Sequence, residues 1–450
     1  MSPKELMARA KGQWRRARRF VLERAMTETY PLVELESHAA TQSLPVRKLI
    51  PAERTQGNPP IFIRAEELCD VSGYDGSEPS PEINLFELDD VTVVGRTEFI
   101  IKDGKALYPG IIDPALDAFM MEIENRGRVD PDAGKVHIFP RAAILQVDRA
   151  ISLLGQCNGN YAHWITEVLT RFTLIEELPE FEGVPLLVDH PVHEKLLDAL
   201  DFLNVSRRRI IDVLPYQKVR VGRLIYMSPP SMTPPETRKF FATGELAPPR
   251  PEQFHFSAQA LAKLRERTLQ DFLSPDAEES YDPPREKNKR IFLRRQPVST
   301  GNGRLLRNAD AVEQVLEEMG FTGIDIADHS FEGQVMAVQD VEIVVSPIGA
   351  ALANLVFREP GCIAVILTPH YEKATFYYFA NLMTALGHDL IFVLGPQTRH
   401  GGASVYNRDF RISIRLLKQA VRKAIEVAHE KRTKVRPSIG IVQQEKVNVK

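Results

Sequence analysis

Apolar residues along this chain follow two alternating spacings. Short apolar runs typical of strands alternate with segments in which apolar residues recur every three or four positions, the spacing of a helix with one buried face. One series of such segments covers residues 85–226, and a second covers residues 289–394. Because strands that alternate with helices form parallel sheets, the pattern predicts an α/β protein.

The same pattern predicts the individual elements. Predicted strands cover residues 91–94, 99–101, 184–189, 209–213, 223–226, 289–293, 324–326, 341–345, 362–367 and 390–394. Predicted helices cover residues 160–178, 193–203, 259–272, 309–319, 331–339, 376–386 and 412–429. Residues 31–85 are rich in Pro, Glu and Ser, so we expect an irregular segment with a few short strands.

A proline-rich stretch at residues 229–251 separates the two series. Proline fixes φ and lacks a backbone N–H group, so this stretch is predicted to connect two domains. A ligand would lie in the cleft between them, at the carboxyl ends of the strands. The predicted division is a basic helical arm at 1–30, an N-terminal domain at 31–245, a C-terminal domain at 246–400, a C-terminal helix at 401–430 and a flexible tail at 431–450.

Composition and charge narrow the class of protein. Of the 450 residues, 43% are hydrophobic and 26% are charged, which is typical of a soluble globular chain. The formal net charge of −3 gives no general attraction to nucleic acid, so we expect no nucleic-acid partner. Three widely separated cysteines fit a reducing compartment. No apolar run approaches the ~18–20 residues of a membrane span, and the N-terminus resembles no secretion signal, so we expect a cytoplasmic location.

The basic stretch at residues 4–26 allows two interpretations. Its apolar residues have helical spacing, so it can form a weak membrane-surface anchor that places the protein at the periphery of the inner membrane. It can also form a solvated helix that docks on its own domain. We favour the second interpretation, because charged helix faces usually contact water.

A polar motif, Asn-Tyr-Ala-His-Trp-Ile-Thr-Glu, opens the predicted helix at 160–178. Asn160 suits a helix N-cap, and His163, Glu167 and Arg171 follow at intervals of four, so they share one helix face. A histidine with a carboxylate partner can act as a general base. The alternative is an exposed histidine beside a Glu–Arg surface pair.

A second candidate site follows the predicted strand at 341–345. Gly349, Ala350 and Ala351 leave room for a ligand near the backbone, and the N–H groups that start a short helix suit an anionic diphosphate. The segment has the spacing of neither a Walker loop nor a dinucleotide-binding glycine motif. The alternative is a tight turn in which the small residues serve packing alone.

Arginines follow the predicted strand at 289–293. The guanidinium groups of Arg294, Arg295 and Arg304 suit phosphate oxygens, and strand alternation predicts that only one of the first two faces the cleft. A solvated loop is the alternative, which we favour for Arg307. The Asp-Pro-Asp stretch at 130–132 resembles a metal motif but follows a polar, Arg-rich turn, so we predict a loop there and no metal site.

These motifs resemble those of a known family. The Asn-Tyr-Ala-His-Trp stretch at 160–164 resembles the Asn-Tyr-x-His-Trp signature of glycosyltransferase family 61. Further segments resemble the same family in order, namely residues 292–295, 304–308, 330–335, 346–354 and 355–361. The likeness covers roughly residues 150–395, and several ordered motifs make it fairly specific.

The resemblance implies a GT-B-like α/β fold, in which two Rossmann-like domains face each other across a cleft. The N-terminal domain would bind the acceptor and the C-terminal domain the nucleotide sugar. The implied activity is inverting transfer of a hexose or pentose from a nucleoside-diphosphate sugar to a saccharide or lipid-linked glycan acceptor. Bacterial members are often linked to capsule or other surface polysaccharide synthesis. We expect neither a cofactor nor a catalytic metal.

Motifs and resemblance together define the candidate site. The predicted catalytic residues are His163 and Glu167. The predicted donor-binding residues are Arg294, Arg295, Arg304, Ser346, Gly349, Ala350, Ala351 and Asn354. The predicted neighbouring or structural residues are Asn160, Tyr161, Trp164 and Gln334.

Four positions depart from the family pattern. Ile348 stands in place of the loop histidine, Ala351 in place of the second loop glycine, and Ile366 in place of a glutamate suited to ribose hydroxyls. Glu167 replaces a frequent aspartate and keeps the carboxylate. These departures leave open a non-catalytic protein that binds a glycan or nucleotide. A nucleotide-sugar epimerase is a further alternative, but the dinucleotide-binding glycine loop that it requires is absent from the sequence.

Overall fold

The computed structural model describes residues 27–65, 69–109, 127–130, 133–232, 251–272, 289–296, 304–372, 374–401 and 405–435. Several predictions lie outside these ranges: the basic stretch at 4–26, most of the linker at 229–251, two of the three residues at 130–132, and the tail from 436 onward. Within the described ranges, no helix combines the length and apolar character needed to cross a bilayer.

The strands are numbered in chain order. They are β1 (Glu28–Glu34), β2 (Val46–Ile50), β3 (Glu53–Gln56), β4 (Ile61–Ile63), β5 (Ser77–Ser80), β6 (Ile83–Val94), β7 (Ile100–Lys102), β8 (Lys105–Tyr108), β9 (Gly127–Asp130), β10 (Lys135–Ile138), β11 (Ile144–Ser152), β12 (Leu186–Asp189), β13 (Ile210–Val213), β14 (Lys218–Met227), β15 (Ser231–Met232), β16 (His255–Phe256), β17 (Arg290–Leu293), β18 (Thr322–Ile324), β19 (Ile343–Pro347), β20 (Ile363–His370), β21 (Asp389–Gly401) and β22 (Arg408–Phe410).

Helices lie between many of these strands. The α-helices are Leu35–Thr41, Tyr161–His163, Thr170–Glu176, Glu194–Leu203, Ala258–Phe272, Ala309–Glu318, Phe331–Val338, Tyr377–Ala385 and Ile414–Val435. The 3-10 segments are Pro179–Phe181, Pro251–Gln253, Ile326–Asp328, Ala350–Phe357 and Val405–Asn407. A π-helical segment, Trp164–Leu169, joins Tyr161–His163 to Thr170–Glu176. We call these three consecutive pieces the signature helix.

The first sheet has the strand order β13-β12-β11-β14-β6-β7-β8-β1-β10-β9, with β2 paired to β6. Its strands β13, β12, β11 and β14 are mutually parallel, whereas β14, β6, β7 and β8 pair antiparallel in succession. The carboxyl ends of parallel strands meet at one edge, where ligands bind in open α/β sheets. The signature helix follows β11, so its first residues lie near this edge.

The second sheet has the order β18-β17-β19-β20-β21-β22, and β4 also pairs with β21. Strands β18, β17, β19, β20 and β21 pair in parallel in succession, as the predicted alternation requires, whereas β22 pairs antiparallel with β21. Strand β4 lies within the range assigned to the first domain, and it pairs in parallel with β21 of the second sheet. Its Phe62 stacks on Phe392, with ring centroids 5.1 Å apart.

One hydrophobic cluster continues from the first sheet to the second. It includes Trp164 and Val168 of the signature helix together with Leu352 and Phe379 from the second half of the chain. Helix Ala258–Phe272 packs against both the signature helix and Ala350–Phe357. The chain is therefore a mixed α/β protein in which the two sheets share buried side chains.

Candidate active site

The first residues of the signature helix are fixed by a side-chain cap. The Asn160 side chain accepts a hydrogen bond of 2.9 Å from the backbone N–H of Ala162, and its carbonyl accepts one of 2.9 Å from Trp164. This confirms Asn160 as the predicted N-cap. The cap satisfies a donor that a helix start otherwise leaves unpaired, so it defines where His163 lies.

The middle of the signature helix is π-helical from Trp164–Leu169. The Thr170 hydroxyl donates to the carbonyl of Ile165, five residues earlier, at 2.9 Å. Single π turns inside α-helices are frequent at functional sites. Trp164, Ile165 and Val168 are completely buried here, so core packing holds this wider turn.

His163 and Glu167 form a close pair on the signature helix. The imidazole Nδ1 lies 2.6 Å from the Glu167 carboxylate, and the two side chains are only 13% and 10% exposed. Arg171 is completely buried and donates to the carbonyls of Glu167 and Leu154. The alternative of an exposed histidine beside a Glu–Arg surface pair is therefore wrong. A carboxylate on Nδ1 favours the tautomer with its lone pair on Nε2, as a general base requires.

The signature helix contacts the segment that follows the small-residue turn. Ala350–Phe357 packs against Tyr161–His163. The Tyr161 hydroxyl donates to the Asn354 side-chain oxygen at 2.7 Å, and the Asn354 amide donates to the carbonyl of Ala351 at 3.0 Å. Burial raises the pKa of Tyr161 above its usual range, so this hydroxyl stays a donor. Two motifs far apart in sequence therefore meet in one place.

Gly349 allows an arginine to approach the backbone of the turn. A Cβ atom at this position would collide with the Arg295 guanidinium, which also donates to the carbonyl of Ile348. Because φ at Gly349 is 172°, the backbone is extended, and space rather than backbone strain accounts for the glycine. Ala350 and Ala351 are partly exposed beside it.

Arg294 and Arg295 point in different directions, as strand alternation predicts. Arg294 donates to Glu313 and Asp325, each at 2.7 Å, and these hydrogen bonds raise the pKa of Arg294. Its charge is therefore compensated within the protein. Of these two predicted donor-binding arginines, only Arg295 contacts the Gly349 turn.

The other predicted residues contribute to the surroundings of the turn. Ser346 is buried and donates to the carbonyl of Pro347 at 2.9 Å, and buried Gln334 donates to the carbonyl of His329 at 3.2 Å. Arg304 is buried. Arg307, which we interpreted as solvated, forms an ion pair of 2.6 Å with Asp409 while its side chain stays 40% exposed.

Both isoleucines that depart from the family pattern lie in the protein interior. Ile366 is completely buried in β20, and Ile348 is 9% exposed. Both belong to the hydrophobic cluster that spans the two sheets. Both side chains serve packing, so neither adds a polar group to this turn.

Sequence reasoning missed two buried carboxyl groups, Glu98 and Asp189. Glu98 lies in the turn between β6 and β7, where burial first and the Glu167 charge second raise its pKa to about 7. Asp189 ends β12, and burial raises its pKa to about 6 against the opposing effect of its hydrogen bonds. No sequence signal marked Glu98. Asp189 could have been found, because it stands at the carboxyl end of a predicted parallel strand.

Asp189 holds the loop that leads into the signature helix. One carboxylate oxygen accepts from the N–H of Gly155 at 2.9 Å and from the Asn158 amide at 2.8 Å. The other accepts from the N–H of Arg96 at 2.6 Å. A Cβ atom at Gly155 would lie 2.6 Å from the Asn158 oxygen, so only glycine fits there. The site therefore depends on contacts between segments distant in sequence.

An aromatic ring lies beside the pair formed by His163 and Glu167. The Tyr378 ring centroid is 6.1 Å from that of His163. Among the residues that the structure describes, no group of three or more His, Cys, Asp or Glu side chains has an arrangement that would hold a metal ion. The arrangement can accept a proton at His163 and bind an anion at the Gly349 turn.

Comparison with known families agrees with this geometry. The family model described as Glycosyltransferase 61 matches residues 161–365, which begin in the signature helix and include the Gly349 turn. No curated protein gave a match to the chain. The matched range contains His163, Glu167, Asp189 and Arg295 but not Glu98. The match confirms the resemblance found in the motifs: residues 161–365 of this chain match glycosyltransferase family 61.

Proposed function

We propose that this protein is an inverting glycosyltransferase of GT-B-like architecture that uses a nucleoside-diphosphate sugar and no catalytic metal. The acceptor is a saccharide or a lipid-linked glycan. The observation that carries the proposal is the contact between Tyr161–His163 and Ala350–Phe357, which joins a base to an anion-binding turn. The two sheets, one with four parallel strands and one mostly parallel, support the predicted two-domain division.

The proposed reaction is a single displacement at the anomeric carbon. An acceptor hydroxyl attacks that carbon while His163 Nε2 accepts the hydroxyl proton, and the bond to the diphosphate oxygen breaks. Glu167 stabilises the imidazolium that forms, because its carboxylate lies 2.6 Å from Nδ1. Positioned acid–base help of this kind contributes ~10²–10⁴ in rate.

The leaving diphosphate gains negative charge as the bond breaks. We assign its stabilisation to Arg295 and to the N–H groups that follow Gly349, because donors fixed in advance stabilise developing charge most effectively. Arg294 is the weaker candidate, since Glu313 and Asp325 compensate its charge. This electrostatic arrangement can take the place of a divalent metal, and metal independence is part of the proposal.

A donor panel tests this function. Wild-type protein, incubated with nucleoside-diphosphate sugars, is expected to release free nucleoside diphosphate slowly from one of them. In His163→Ala we expect the release to fall while calorimetric binding of that donor persists. His137→Ala is the matched control, because this histidine lies on β10 and bonds Thr29, away from the site. Release that is equal in His163→Ala and wild type would contradict the base assignment.

The second candidate function is a glycan- or nucleotide-binding protein without turnover. Buried Ile348 and Ile366 favour it, because they remove two polar groups of the family pattern. Such a protein would bind a donor from the panel and release no free nucleoside diphosphate. A role in surface polysaccharide synthesis rests on the family resemblance alone, whereas a location at the cytoplasmic side of the inner membrane rests on the sequence, including the basic stretch at 4–26.

A further inference from the structure

The outer face of the C-terminal helix carries a row of positive charges. Helix Ile414–Val435 presents Arg415, Lys418 and Arg422 at intervals of three and four, so the three side chains share one face. Arg415 and Arg422 are exposed and Lys418 is half-buried, and exposed Arg411 stands three residues before the helix begins. We call these four residues the basic stripe.

The opposite face of the same helix is apolar and packs on the second sheet. It joins a hydrophobic cluster that contains residues of β19, β20 and β21. The buried residues that the helix contributes are Leu416, Leu417, Ala420, Val421, Ala424 and Ala428. This packing fixes the rotation of the helix about its axis, so the basic stripe faces away from the sheet.

The charges of the basic stripe have no partners within the described ranges. None of its four side chains forms an ion pair or a hydrogen bond there. Residues 411–425 contain no Asp or Glu, although the neighbouring helix carries three exposed acids, Asp310, Glu317 and Glu318. Since the formal net charge of the whole chain is −3, the stripe is a local concentration of positive charge. Cations near a helix N-terminus lower helix stability, so the helix itself gains nothing from Arg415.

The basic stripe lies toward the ligand-binding end of the second sheet. The backbone N–H of Arg411 donates at 3.1 Å to the carbonyl of Pro396, which pairs with the last residue of β20. The other end of the helix reaches the start of β21, where Lys431 pairs with Asp389 at 2.6 Å. The helix therefore begins at the carboxyl edge of the strands, which is also the edge of the Gly349 turn.

The residues around the stripe favour a lipid surface over a nucleic acid as its partner. Ile414 and Ile425 are partly exposed and lie four and seven residues from Lys418, so apolar side chains border the cations. Interfacial helices place cations at the headgroups and apolar side chains at the acyl boundary. Clusters of about four to eight lysines and arginines on such helices are typical of binding to anionic lipids. Single-stranded nucleic acid is bound largely by aromatic stacking, and residues 411–425 contain no aromatic residue.

We propose that the basic stripe docks this protein on the anionic surface of a lipid bilayer. The four cations face the lipid phosphates, and the carboxyl edge of the second sheet lies close to the headgroups. The candidate site is then near the plane in which a lipid-linked acceptor presents its sugar. This last advantage rests on the proposed function, whereas docking itself needs neither donor nor acceptor.

Co-sedimentation of the full chain with lipid vesicles measures the docking. Wild-type protein is expected to bind vesicles of equal parts phosphatidylcholine and phosphatidylglycerol, and not to bind vesicles of phosphatidylcholine alone. Binding should weaken as salt is added, because salt screens the attraction between charges. Equal binding to both kinds of vesicle, or binding to neither, overturns the proposal.

A triple variant tests whether the basic stripe carries the binding. Arg415→Gln, Lys418→Gln and Arg422→Gln together remove three charges and keep a helix-favouring side chain at each position. Each cation near an anionic surface contributes roughly fivefold to binding, so the partition coefficient should fall about a hundredfold. The matched control removes the same charge from exposed arginines in the first half of the chain, with Arg207→Gln, Arg209→Gln and Arg220→Gln.

The control variant should bind anionic vesicles like wild type. Wild-type binding in the triple variant overturns the proposal, because another cationic segment would then be responsible. An equal loss of binding in the triple variant and the control also overturns it, since the effect would then come from the overall charge of the chain.

Lysine acylation, detected by mass spectrometry, locates the contact in wild-type protein and needs no variant. Anionic vesicles should slow the labelling of Lys418 and leave the labelling of exposed Lys135 on β10 unchanged. Labelling of Lys418 that is equal with and without vesicles overturns the proposal even when the triple variant does not fold.

Duplex DNA is the probe for the other class of partner. DNA binding that is present in wild type and lost in the triple variant, with anionic vesicles left unbound, would assign the basic stripe to nucleic acid and overturn the proposal. We expect vesicle binding instead.

Docking and glycosyl transfer fail independently in these experiments. Vesicle binding without any donor turnover would contradict the transferase and leave the docking intact. Donor turnover in a protein that binds no anionic vesicles would do the reverse.

Discussion

The two halves of the candidate site, the signature helix and the Gly349 turn, differ in the kinds of chemical group that they offer. At the signature helix, the proposed chemistry is carried by buried ionisable side chains, with Glu167 only 10% exposed beside His163. At the Gly349 turn, it is carried by main-chain groups, small residues and one arginine. The first arrangement suits a group whose proton affinity must be tuned, whereas the second suits a charged ligand that binds and leaves.

The largest expected effect is a loss of turnover from a change beside the proposed base. Glu167→Gln removes the charge that stabilises the imidazolium, so turnover should fall by ~10²–10⁴. Calorimetric affinity for the nucleoside diphosphate should stay at the wild-type value, because the donor turn is untouched. Steady-state rates and calorimetry on the same preparation check both statements. Equal losses in turnover and affinity would contradict a division of labour between the halves.

The second-largest expected effect is a loss of nucleoside-diphosphate affinity from changes at the Gly349 turn. Arg295→Ala removes a charged hydrogen-bond donor, worth about 1.5–3 kcal/mol, so nucleoside-diphosphate affinity should fall by at least tenfold. Gly349→Ala should act in the same direction, because its Cβ displaces the guanidinium. Arg294→Ala is the comparison variant, expected to lower thermal stability while affinity is kept, since its partners are Glu313 and Asp325. An affinity loss confined to Arg294→Ala would reverse the assignment.

The third effect is a pH dependence of stability from the buried side chains. The pKa of Glu98 is raised from 4.5 to about 7, so its contribution is fully present below pH 4.5 and is lost as pH rises through about 7. The free energy of unfolding should fall with a slope approaching about 1.4 kcal/mol per pH unit in this window. Urea titrations at several pH values should show a flatter profile for Glu98→Gln, and parallel profiles would contradict the stated direction.

The smallest expected effect concerns the hydrogen bond that links the signature helix to the segment after the Gly349 turn. Tyr161→Phe removes the 2.7 Å hydrogen bond to Asn354 and leaves the buried amide oxygen without that donor, at a cost of about 1–3 kcal/mol. Chemical unfolding gives the stability change. Tyr30→Phe on β1 is a control for the loss of a hydroxyl far from the site. A turnover loss in Tyr161→Phe without any stability change would indicate direct contact of this hydroxyl with substrate.

Sequence patterns correctly predicted features that depend on residues close together in the chain. The interval of four residues between His163 and Glu167 correctly predicted that their side chains pair. The predicted helices at 193–203, 259–272 and 331–339 are found within a residue or two of their bounds. Gly320 follows the predicted helix at 309–319 and has a φ of +79°, the left-handed conformation common just past a helix end. These features depend on neighbouring residues, whose spacing is visible in the sequence.

Predictions from local spacing were wrong or incomplete where contacts between distant segments determine the structure. The strand predicted at 324–326 is found at Thr322–Ile324, because Asp325 turns away to pair with Arg294. The C-terminal helix extends through Val435 into the predicted tail, where Lys431 pairs with Asp389 at 2.6 Å. Helix Leu35–Thr41 was not predicted. The pairing of β4 with β21 and the buried position of Glu98 were not predicted, because their environments come from remote parts of the chain.

The structure of the protein crystallised with a nucleoside diphosphate tests the central claim most directly. The account predicts that the diphosphate lies against Arg295 and the N–H groups after Gly349, with the sugar side of the ligand facing His163. A diphosphate bound elsewhere, with His163 and the Gly349 turn both outside the occupied site, would contradict it.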